Sequence, residues 1–446
     1  MISMHVSEAA RLLGANYCGQ DRIFMGCSID SRTLPRGALF VALRGQHRDG
    51  HDFVNVAAQK GAAAAMVEHA DVFSGLPVIE VGDCHYALRK LAGVWRNRFN
   101  YPLVAITGSN GKTTVKELLA SIFKEQGPTH ATQGNLNNEL GVPLTLLGLD
   151  QEHRWAVLEM GANHPDEIRR LTYIARPTIG VITRCAPAHL EGFGSIEGVA
   201  KAKGELFESM TENGVAIINA DDPYANLWER LVGSRRKITF GLGNPADVSA
   251  DYRLMSSRGE FMLKTPIGCK YTQLNLPGRH NILNALAAAA AAIAAGCGLD
   301  VIVKGLMSAG GVDGRLRIKY AQSGARIIDD TYNANSDSLA AALEVLADYQ
   351  EPRWLVLGEM GELGDAGPKL HDQAGMLARK LGVTRIFATG NLCRYTVNAF
   401  GSGGNYYSNA EELLTAVRME LTEEATVLVK GSRYMRMERV ADGLLV

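Results

Sequence analysis

The sequence predicts an α/β protein of three domains: a central domain with a mostly parallel sheet of the P-loop type, a C-terminal doubly wound, Rossmann-like domain and a smaller N-terminal α/β domain. Two observations support this prediction. Short apolar runs typical of strands alternate with helical segments along most of the chain, which is the pattern of parallel sheets covered by helices. The chain also has 446 residues, more than one domain of roughly 100–200 residues needs, and glycines cluster at 305–314, where the alternation restarts.

The N-terminal domain, expected over residues 1–84, has the most interrupted pattern. Residues 39–43 predict a strand and residues 53–61 predict a helix. Ser7 and Glu8 indicate a helix start close to the N-terminus. No basic segment precedes them, so we do not expect a signal peptide.

The central domain is expected over residues 85–312 and the C-terminal domain over residues 313–446. In the central domain, a strand at 103–107 and a helix at 114–126 flank a glycine-rich turn, and further strands are predicted at 155–158, 178–183 and 215–219. The C-terminal pattern gives strands at 326–330, 354–358, 385–389 and 426–430 with helices between them. We predict that Gly310, Gly311 and Gly314 form a hinge between the two domains.

The composition excludes several classes of function. The chain has 46 lysines and arginines against 47 aspartates and glutamates. It therefore lacks the basic excess of a protein that binds nucleic acid or an anionic membrane. Its seven cysteines are scattered and form no C-x-x-C pair, which favours a reducing, cytoplasmic compartment. The most apolar run, at 285–295, is shorter than the ~20 residues that span a bilayer, so membrane insertion is not expected.

The glycine-rich turn after the first central strand reads TGSNGKTT at 107–114. Between a strand and a helix, such a turn aims backbone N–H groups and the positive end of the helix dipole at phosphate oxygens. Lys112 can reach the β and γ phosphates of a nucleotide, and the Thr113 hydroxyl can ligate Mg²⁺. The loop is a short variant, since Ile106 occupies a position where the common pattern has glycine. The predicted ATP-binding residues here are Gly108, Ser109, Asn110, Gly111, Lys112, Thr113 and Thr114.

Two further polar loops follow neighbouring strands of the same predicted sheet. Glu159 comes directly after the strand at 155–158, where a carboxylate is suited to hold Mg²⁺ opposite the phosphate loop. His189 lies in the loop after the strand at 178–183 and is predicted at the same sheet edge. Both are therefore candidate metal ligands.

These motifs together resemble the Mur ligase family, the ATP-dependent amide-forming enzymes of bacterial cell-wall precursor synthesis. The central matches are TGSNGKTT, LEMGAN, APAHLEGFGS and PGRHNILNALAAAA. The N-terminal match is SIDSRTLPRGALFVALRGQHRDGHDF, similar to the domain that holds the uridine nucleotide of the substrate. The C-terminal matches are DDTYNANSDSL, LGEMGELG and VLVKGSRYMRME. The resemblance thus extends over essentially the whole chain.

The resemblance implies a cytoplasmic ligase that uses ATP and Mg²⁺, forms an acyl phosphate on a carboxylate and joins an amine to it. The branch that adds diaminopimelate carries a DNPR motif, which is missing here; the corresponding stretch is 333–336. We therefore expect the branch whose small-molecule substrates are UDP-MurNAc-tripeptide and D-alanyl-D-alanine. No nucleic-acid partner is expected, and the expected state is a monomer.

Residue roles follow from the resemblance position by position. It implies that Lys203 is carbamylated by CO₂ and joins Thr113, Glu159 and His189 as a metal ligand. The implied catalytic residues are Lys112, Lys203, His189 and Arg315. Besides the phosphate loop, the implied ATP contacts are Asn281, Arg315 and Asp330, and the implied substrate contacts are Ser31, Arg32, Asn137, Asn138, Asn333 and Asn335.

Other functions remain as alternatives. A sister ligase adding diaminopimelate or lysine, or a folylpolyglutamate synthase, would use the same scaffold. A non-catalytic ATP-binding protein would be expected to have lost Glu159, His189 and Lys203, all of which are present. The short loop and the bipartite architecture argue against a P-loop kinase or a GTPase switch.

Overall fold

The computed structural model of the chain describes residues 1–69 and 75–446. The elements of its first part are β1 Ser3–His5, α1 Val6–Leu13, β2 Asn16–Cys18, β3 Ile23–Met25, β4 Cys27–Ser28, β5 Leu39–Val41, α2 Val54–Gln59, β6 Ala64–Val67, β7 Val78–Glu80 and α3 Cys84–Arg96. Within the described residues, a sheet of order β2-β7-β6-β5-β4 forms beside the pair β1-β3. Helix α1 begins one residue earlier than predicted, and Ser7 instead bonds through its hydroxyl to Asp21.

The central part contains a six-stranded, wholly parallel sheet of order β13-β12-β11-β8-β10-β9. The elements that build it are β8 Leu103–Thr107, α4 Lys112–Lys124, β9 Thr129–Ala131, α5 Gly141–Leu147, β10 Trp155–Glu159, α6 Glu167–Ala175, β11 Ile179–Ile182, α7 Leu190–Phe193, α8 Ile196–Ser209, β12 Val215–Asn219, α9 Ala225–Val232 and β13 Arg236–Phe240. Strands β8, β11 and β12 are buried along their whole length, as expected for a parallel sheet covered on both faces.

A separate three-stranded antiparallel sheet follows, which the sequence analysis did not predict. It consists of β14 Ser249–Met255, β15 Arg258–Thr265 and β16 Gly268–Leu274, and it leads into helices α10 Arg279–Ala294 and α11 Leu299–Ser308. The alanine-rich helix α10 is buried against β12, β13 and α4, because small side chains let the backbones approach closely. Gly305 of α11 shows the same close packing, since an added Cβ would lie 2.3 Å from the Cα of Ile122.

The C-terminal part is a second α/β unit with a six-stranded sheet of order β17-β18-β22-β19-β20-β21. Its elements are β17 Arg317–Tyr320, β18 Arg326–Asp330, α12 Ser336–Ala347, β19 Arg353–Gly358, α13 Gly367–Lys380, β20 Arg385–Thr389, α14 Cys393–Phe400, β21 Gly404–Tyr407, α15 Ala410–Glu420, β22 Thr426–Lys430 and α16 Glu438–Gly443. All pairs are parallel except the edge pair β17-β18. The doubly wound C-terminal fold predicted from the alternating pattern is therefore confirmed.

Apolar packing joins the N-terminal and central parts into one continuous core. Ile2 and Phe24 belong to the same buried cluster as Leu103 and Leu158. A backbone hydrogen bond also connects the N-terminus to the central part, since the Ile2 amide donates to the Leu147 carbonyl at 2.6 Å. Among residues 1–69 and 75–446, no helix combines the length and the apolar character that crossing a membrane requires.

Candidate active site

Three loops converge where neighbouring central strands end. The phosphate loop follows β8, Glu159 ends β10, and the loop that carries His189 follows β11. Because β8 lies between β10 and β11 in a parallel sheet, the three carboxyl ends share one edge. Ligands of open α/β sheets bind at this edge, and the sequence analysis placed the same three loops there.

The phosphate loop is fixed by hydrogen bonds to the loop after β11. The Ser109 amide donates to the Arg184 carbonyl at 2.7 Å, and the Thr183 hydroxyl donates to the Asn110 carbonyl at 2.6 Å. Gly108 and Gly111 have φ of 145° and 84°, which is a region that favours glycine. A Cβ on Gly108 would lie 2.0 Å from the Thr183 hydroxyl, so this loop has no room for a side chain there.

Lys112 is the first residue of helix α4, and its side chain folds back towards the carbonyl groups of the phosphate loop. Its Nζ donates to the carbonyl of Gly108 at 2.6 Å and lies 3.3 Å from that of Ser109. Burial lowers the pKa of Lys112, and Arg315 adds to the effect while Glu159 opposes it. An arriving phosphate would relieve this desolvation because it supplies the anion that the ammonium lacks.

Glu159 is almost completely buried, with 2% of its surface exposed. One carboxylate oxygen accepts a hydrogen bond from Asn137 Nδ2 at 2.7 Å. The other, Oε2, is buried without a hydrogen-bond partner among the described residues. An unpaired buried carboxylate oxygen is costly unless a cation satisfies it, so the residues present fit Mg²⁺ at this position.

Lys203 lies on α8 and faces the same cleft, with 2% of its surface exposed. Its Nζ sits 5.4 Å from the centre of the Phe193 ring. Burial, together with the nearby charge of Lys112, lowers the pKa of Lys203 to about 7. Lys201, two residues earlier, is instead exposed and pairs with Glu197 at 2.7 Å.

Within the described residues, no three His, Cys, Asp or Glu side chains form a metal-binding group. Glu159 and His189 are the two side chains of those types that were predicted as ligands, and both line the cleft. A carbamate on Lys203 would add a second anionic ligand to Glu159, because it converts the ammonium into a carboxylate-like group.

His189 contacts the C-terminal part of the chain. Its Nδ1 lies 2.5 Å from Oε2 of Glu362, and this contact lowers the pKa of the glutamate. Both residues have positive φ, 53° and 60°, which is uncommon for non-glycine residues and costs free energy. Nε2 is the ring nitrogen that remains for a metal.

A cavity of about 820 Å³ lies between the phosphate loop, the start of α10 and the C-terminal part. Asn281 and Asp330, two of the predicted nucleotide contacts, line it. Asn281 is held by its own helix end, since its Nδ2 donates to the Pro277 carbonyl at 2.7 Å. His280 also lines the cavity, and burial, with Lys430 and Arg184 nearby, lowers its pKa to about 4.

Asp330 ends β18 and forms an ion pair with Lys430, which ends the neighbouring strand β22. Lys430 is buried and also donates to the Asn333 carbonyl at 3.0 Å. The other oxygen of Asp330 accepts from the Leu316 amide at 3.3 Å. Asp330 therefore faces the cavity from a rigid position but already has partners on both oxygens.

Arg315 borders both this cavity and a larger cleft of about 1670 Å³. Its guanidinium lies 4.2 Å from the centre of the Tyr332 ring, and its Nε is buried without a partner in the described structure. The larger cleft brings together the predicted residues Lys112, Asn137, Asn138, Glu159, His189, Lys203, Arg315, Asn333 and Asn335.

The four predicted asparagines do not behave alike. Asn137 holds Glu159, as described above, whereas the Asn138 side chain accepts from the amides of Leu140 and Gly141 at the start of α5. Asn335 caps α12 through a capping box with Ser338. Much of their hydrogen-bonding capacity therefore fixes loops.

Ser31 and Arg32 lie elsewhere. They follow β4 in the N-terminal sheet, and they line neither the cavity beside Asn281 nor the large cleft. Arg32 is exposed and binds Asp30 through two nitrogens, which lowers the pKa of Asp30 to about 2. The structure thus separates this pair from the other predicted site residues.

Besides the His189–Glu362 pair, further polar contacts across the domain boundary were missed by sequence reasoning. Arg184 pairs with Asp337 at 2.6 Å, and Asn110 Nδ2 donates to the same carboxylate at 2.9 Å. Asn335 Nδ2 in turn donates to the Asn110 side chain at 2.9 Å. No local pattern links residues more than 150 positions apart, so only the fold reveals these partners.

Fold and cleft together define a class: a three-domain nucleotide-binding α/β protein whose phosphate loop faces a second α/β domain across a polar cleft. Three family models match the chain: "Mur ligase family, catalytic domain" at 24–92, "Mur ligase middle domain" at 106–292 and "Mur ligase, glutamate ligase domain" at 314–433. The chain belongs to the Mur ligase family, as the sequence motifs predicted.

Individual relatives agree over the full length. UDP-N-acetylmuramoyl-tripeptide--D-alanyl-D-alanine ligase of Escherichia coli (strain K12) is 41% identical, with 100% of this chain and 99% of the relative covered. A solved structure of MurF from Acinetobacter baumannii superposes with a TM-score of 0.94 at 33% identity, covering 100% and 99% of the two chains. MurF ligase from Thermotoga maritima, solved in complex with ADP, gives 0.83 at 27% identity and covers 94% and 96%. The predicted three-domain fold is confirmed.

Proposed function

We propose that this chain is the ATP-dependent ligase that joins D-alanyl-D-alanine to UDP-N-acetylmuramoyl-tripeptide in peptidoglycan precursor synthesis. Relatives at 32–41% identity over the full length carry that name. The observation that supports it most is the cleft, which places the phosphate loop, Glu159 and Lys203 opposite Arg315 and Asn333 of the C-terminal part.

The reaction needs ATP because a carboxylate is a poor electrophile. In the first step, an oxygen of the tripeptide's terminal carboxylate attacks the γ phosphorus, and ADP leaves. In the second step, the dipeptide amine attacks the acyl carbon, loses a proton, and phosphate leaves with the carboxylate's oxygen. Both steps bring anions together, so positioning and electrostatic stabilisation are the main demands on the protein.

The chain's own residues meet those demands. Lys112 and Arg315 are cations on two sides of the cleft, where they would hold the transferring phosphoryl group. Glu159, His189, Thr113 and a carbamylated Lys203 would hold Mg²⁺, which supplies charge neutralisation of the phosphates when bound. The domains meet over the site through Asn110 and Arg184, so closure would exclude water from the acyl phosphate.

The remaining assignments belong to the same proposal. Asn281 and Asp330 would contact the nucleoside from the smaller cavity, while Ser31 and Arg32 would hold the uridine diphosphate end on the N-terminal domain. We place the reaction in the cytoplasm, where ATP and nucleotide-linked precursors occur, and we propose that the chain acts as a monomer.

The experiment tests which amine the chain joins to the UDP-linked peptide. Purified protein with ATP, Mg²⁺ and UDP-MurNAc-tripeptide should release phosphate only when D-alanyl-D-alanine is present, and the product mass should rise by the dipeptide less one water. Diaminopimelate or lysine with the UDP-MurNAc-dipeptide serves as the control. Turnover with those amines would assign the chain to a sister ligase, and no turnover with any amine would favour a non-catalytic nucleotide-binding protein.

A further inference from the structure

The incoming dipeptide imposes a requirement that the residues assigned so far do not meet. D-Alanyl-D-alanine has a reactive amine at one end and a free carboxylate at the other. That carboxylate must be held in a cleft that also contains the phosphates of ATP and the acyl phosphate. A dedicated cation, separate from those on the phosphates, would keep this negative charge in place.

Four lysine or arginine side chains line the large cleft within the described residues: Lys112, Lys203, Arg315 and Arg433. The proposed function assigns Lys112 and Arg315 to phosphate and Lys203 to the metal. Arg433 is the member of this set without an assigned ligand. It also lies on the C-terminal domain, opposite the side on which the UDP-linked substrate is proposed to enter.

The position of Arg433 suits an anion site at the end of a strand. It begins a 3-10 turn, Arg433–Met435, directly after Gly431 and Ser432, which follow the carboxyl end of β22. Its side chain is 64% exposed, and the ion pair that the described residues give it, with Glu438, is long at 3.6 Å. The guanidinium is therefore free to bind a carboxylate through two parallel hydrogen bonds.

Two arginines of this region lie near one aromatic ring. The Arg315 guanidinium lies 4.2 Å and the Arg433 guanidinium 5.6 Å from the centre of the Tyr332 ring. The same aromatic side chain thus neighbours two cations that border one cleft. This arrangement offers two anion positions, one on the phosphate side and one on the C-terminal side.

The surroundings of Arg433 also suit the two methyl groups of the dipeptide. Ala334, Leu363 and Tyr434 line the same cleft as Arg433. The Tyr434 ring is held in place, because its hydroxyl donates to Glu359 at 2.9 Å. Small apolar contacts beside a cation match a short dipeptide of alanines that ends in a carboxylate.

We propose that Arg433 binds the terminal carboxylate of the incoming D-alanyl-D-alanine and so selects an amine substrate that ends in a free carboxylate. This inference rests on the proposed function, since it assigns one end of that reaction's dipeptide.

The test compares two amines on four proteins. Phosphate release is measured with saturating ATP and UDP-MurNAc-tripeptide, varying either D-alanyl-D-alanine or D-alanyl-D-alaninamide, which lacks the carboxylate charge. The proteins are the unmodified chain, Arg433→Ala, Arg433→Lys and the control Arg439→Ala. Arg439 is exposed on α16 and does not line the cleft.

The unmodified chain and Arg439→Ala should prefer the acid over the amide by roughly ten- to a hundredfold in kcat/KM. Arg433→Ala should raise the KM for the acid by a similar factor, leave the KM for UDP-MurNAc-tripeptide unchanged and lose the preference. Arg433→Lys should recover part of it, because the charge returns without the two-pronged geometry.

Two results would overturn the inference while leaving the proposed function intact. Arg433→Ala could retain the full preference for the acid, or it could raise the KM for the UDP-tripeptide and not for the dipeptide. Absence of dipeptide-dependent turnover in the unmodified chain would instead contradict the proposed function itself.

Discussion

Lys203 is a buried cation on α8 with the Phe193 ring as its neighbour. Its lowered pKa, about 7, means that a large share of the side chain is the neutral amine near neutral pH. Carbon dioxide reacts with neutral amines, so burial prepares this lysine for carbamylation. The same burial distinguishes it from Lys201 on the same helix, which is exposed and pairs with Glu197.

Replacing Lys203 with alanine should lower ligase activity by about a hundredfold or more, because the site loses a charged group that acts in a water-excluded cleft. A short carboxylate such as acetate should restore part of the activity by standing in for the carbamate. Phosphate release measures both effects. Lys201→Ala is the matched control and should stay within about twofold; equal losses for the two variants would contradict the assignment.

The lowered pKa of His280 predicts that the free energy of unfolding depends on pH. Its folded-state pKa of about 4 lies below the ordinary value of 6.5, chiefly because of burial. Between these values the unfolded chain binds a proton that the folded chain does not, so the free energy of unfolding falls as the pH drops from 6.5 towards 4. The partly exposed ring should contribute about 1–2 kcal/mol of this loss.

Denaturant unfolding of the unmodified chain and His280→Gln at pH 7 and pH 4.5 measures this contribution. The variant should lose less stability than the unmodified chain over that interval. Identical losses would show that His280 takes up its proton in the folded state as readily as in the unfolded one.

At the scale of elements, the phosphate loop depends on glycine at the N-terminus of α4. Gly111 has φ of 84°, and a Cβ there would lie 2.4 Å from the Asn284 side chain on α10. Gly111→Ala should therefore destabilise the fold by about 1–3 kcal/mol and weaken ATP binding, since the loop must shift. Thermal unfolding and nucleotide titration measure the two effects.

Gly14→Ala is the matched control for this loop. Gly14 has φ of 69° but nothing within 4 Å of an added Cβ. The Gly14→Ala variant should therefore lose stability through backbone strain but should bind ATP with unchanged affinity. Unaltered ATP binding in Gly111→Ala would mean that the loop tolerates the displacement and that its glycine is not needed for phosphate.

The alternation of apolar strands and helices predicted the elements around the site well, because parallel strands are buried on both faces and stand out as continuous apolar runs. The sheet β14–β16 was missed, since its outer strands β14 and β16 have few buried positions and their apolar residues are interrupted by polar ones. The edge strands β13 and β21 were missed because neither has a continuous run of buried positions. Motif residues such as Lys112 and Glu159 were found because they follow apolar strands directly.

At the scale of the whole molecule, the central and C-terminal parts touch through side chains at the mouth of the site. Arg184 with Asp337, and His189 with Glu362, are its charged contacts in the described structure. Sequence alone could not supply them, because each pair joins residues about 150 or more positions apart. Because these contacts lie beside the phosphate loop, we propose that closure of the two parts is linked to ligand binding.

The double variant Asp337→Asn with Glu362→Gln should open the ligand-free molecule, because both ion pairs are lost. Small-angle scattering should then show a larger radius of gyration than for the unmodified chain, and ATP with UDP-MurNAc-tripeptide should reduce it. Glu420→Gln, which removes a contact with Arg385 inside the C-terminal domain, is the control. Scattering profiles that do not respond to the variant or to the ligands would contradict closure about the Gly310–Gly314 segment.

In the proposed reaction, ATP activates the tripeptide carboxylate as an acyl phosphate. Labelling that carboxylate with ¹⁸O and analysing the released phosphate by mass spectrometry is the most direct test of this step. We expect one ¹⁸O atom in each phosphate released with the dipeptide-extended product, since the carboxylate oxygen leaves with the phosphoryl group. Phosphate without label, or label found in AMP, would contradict it.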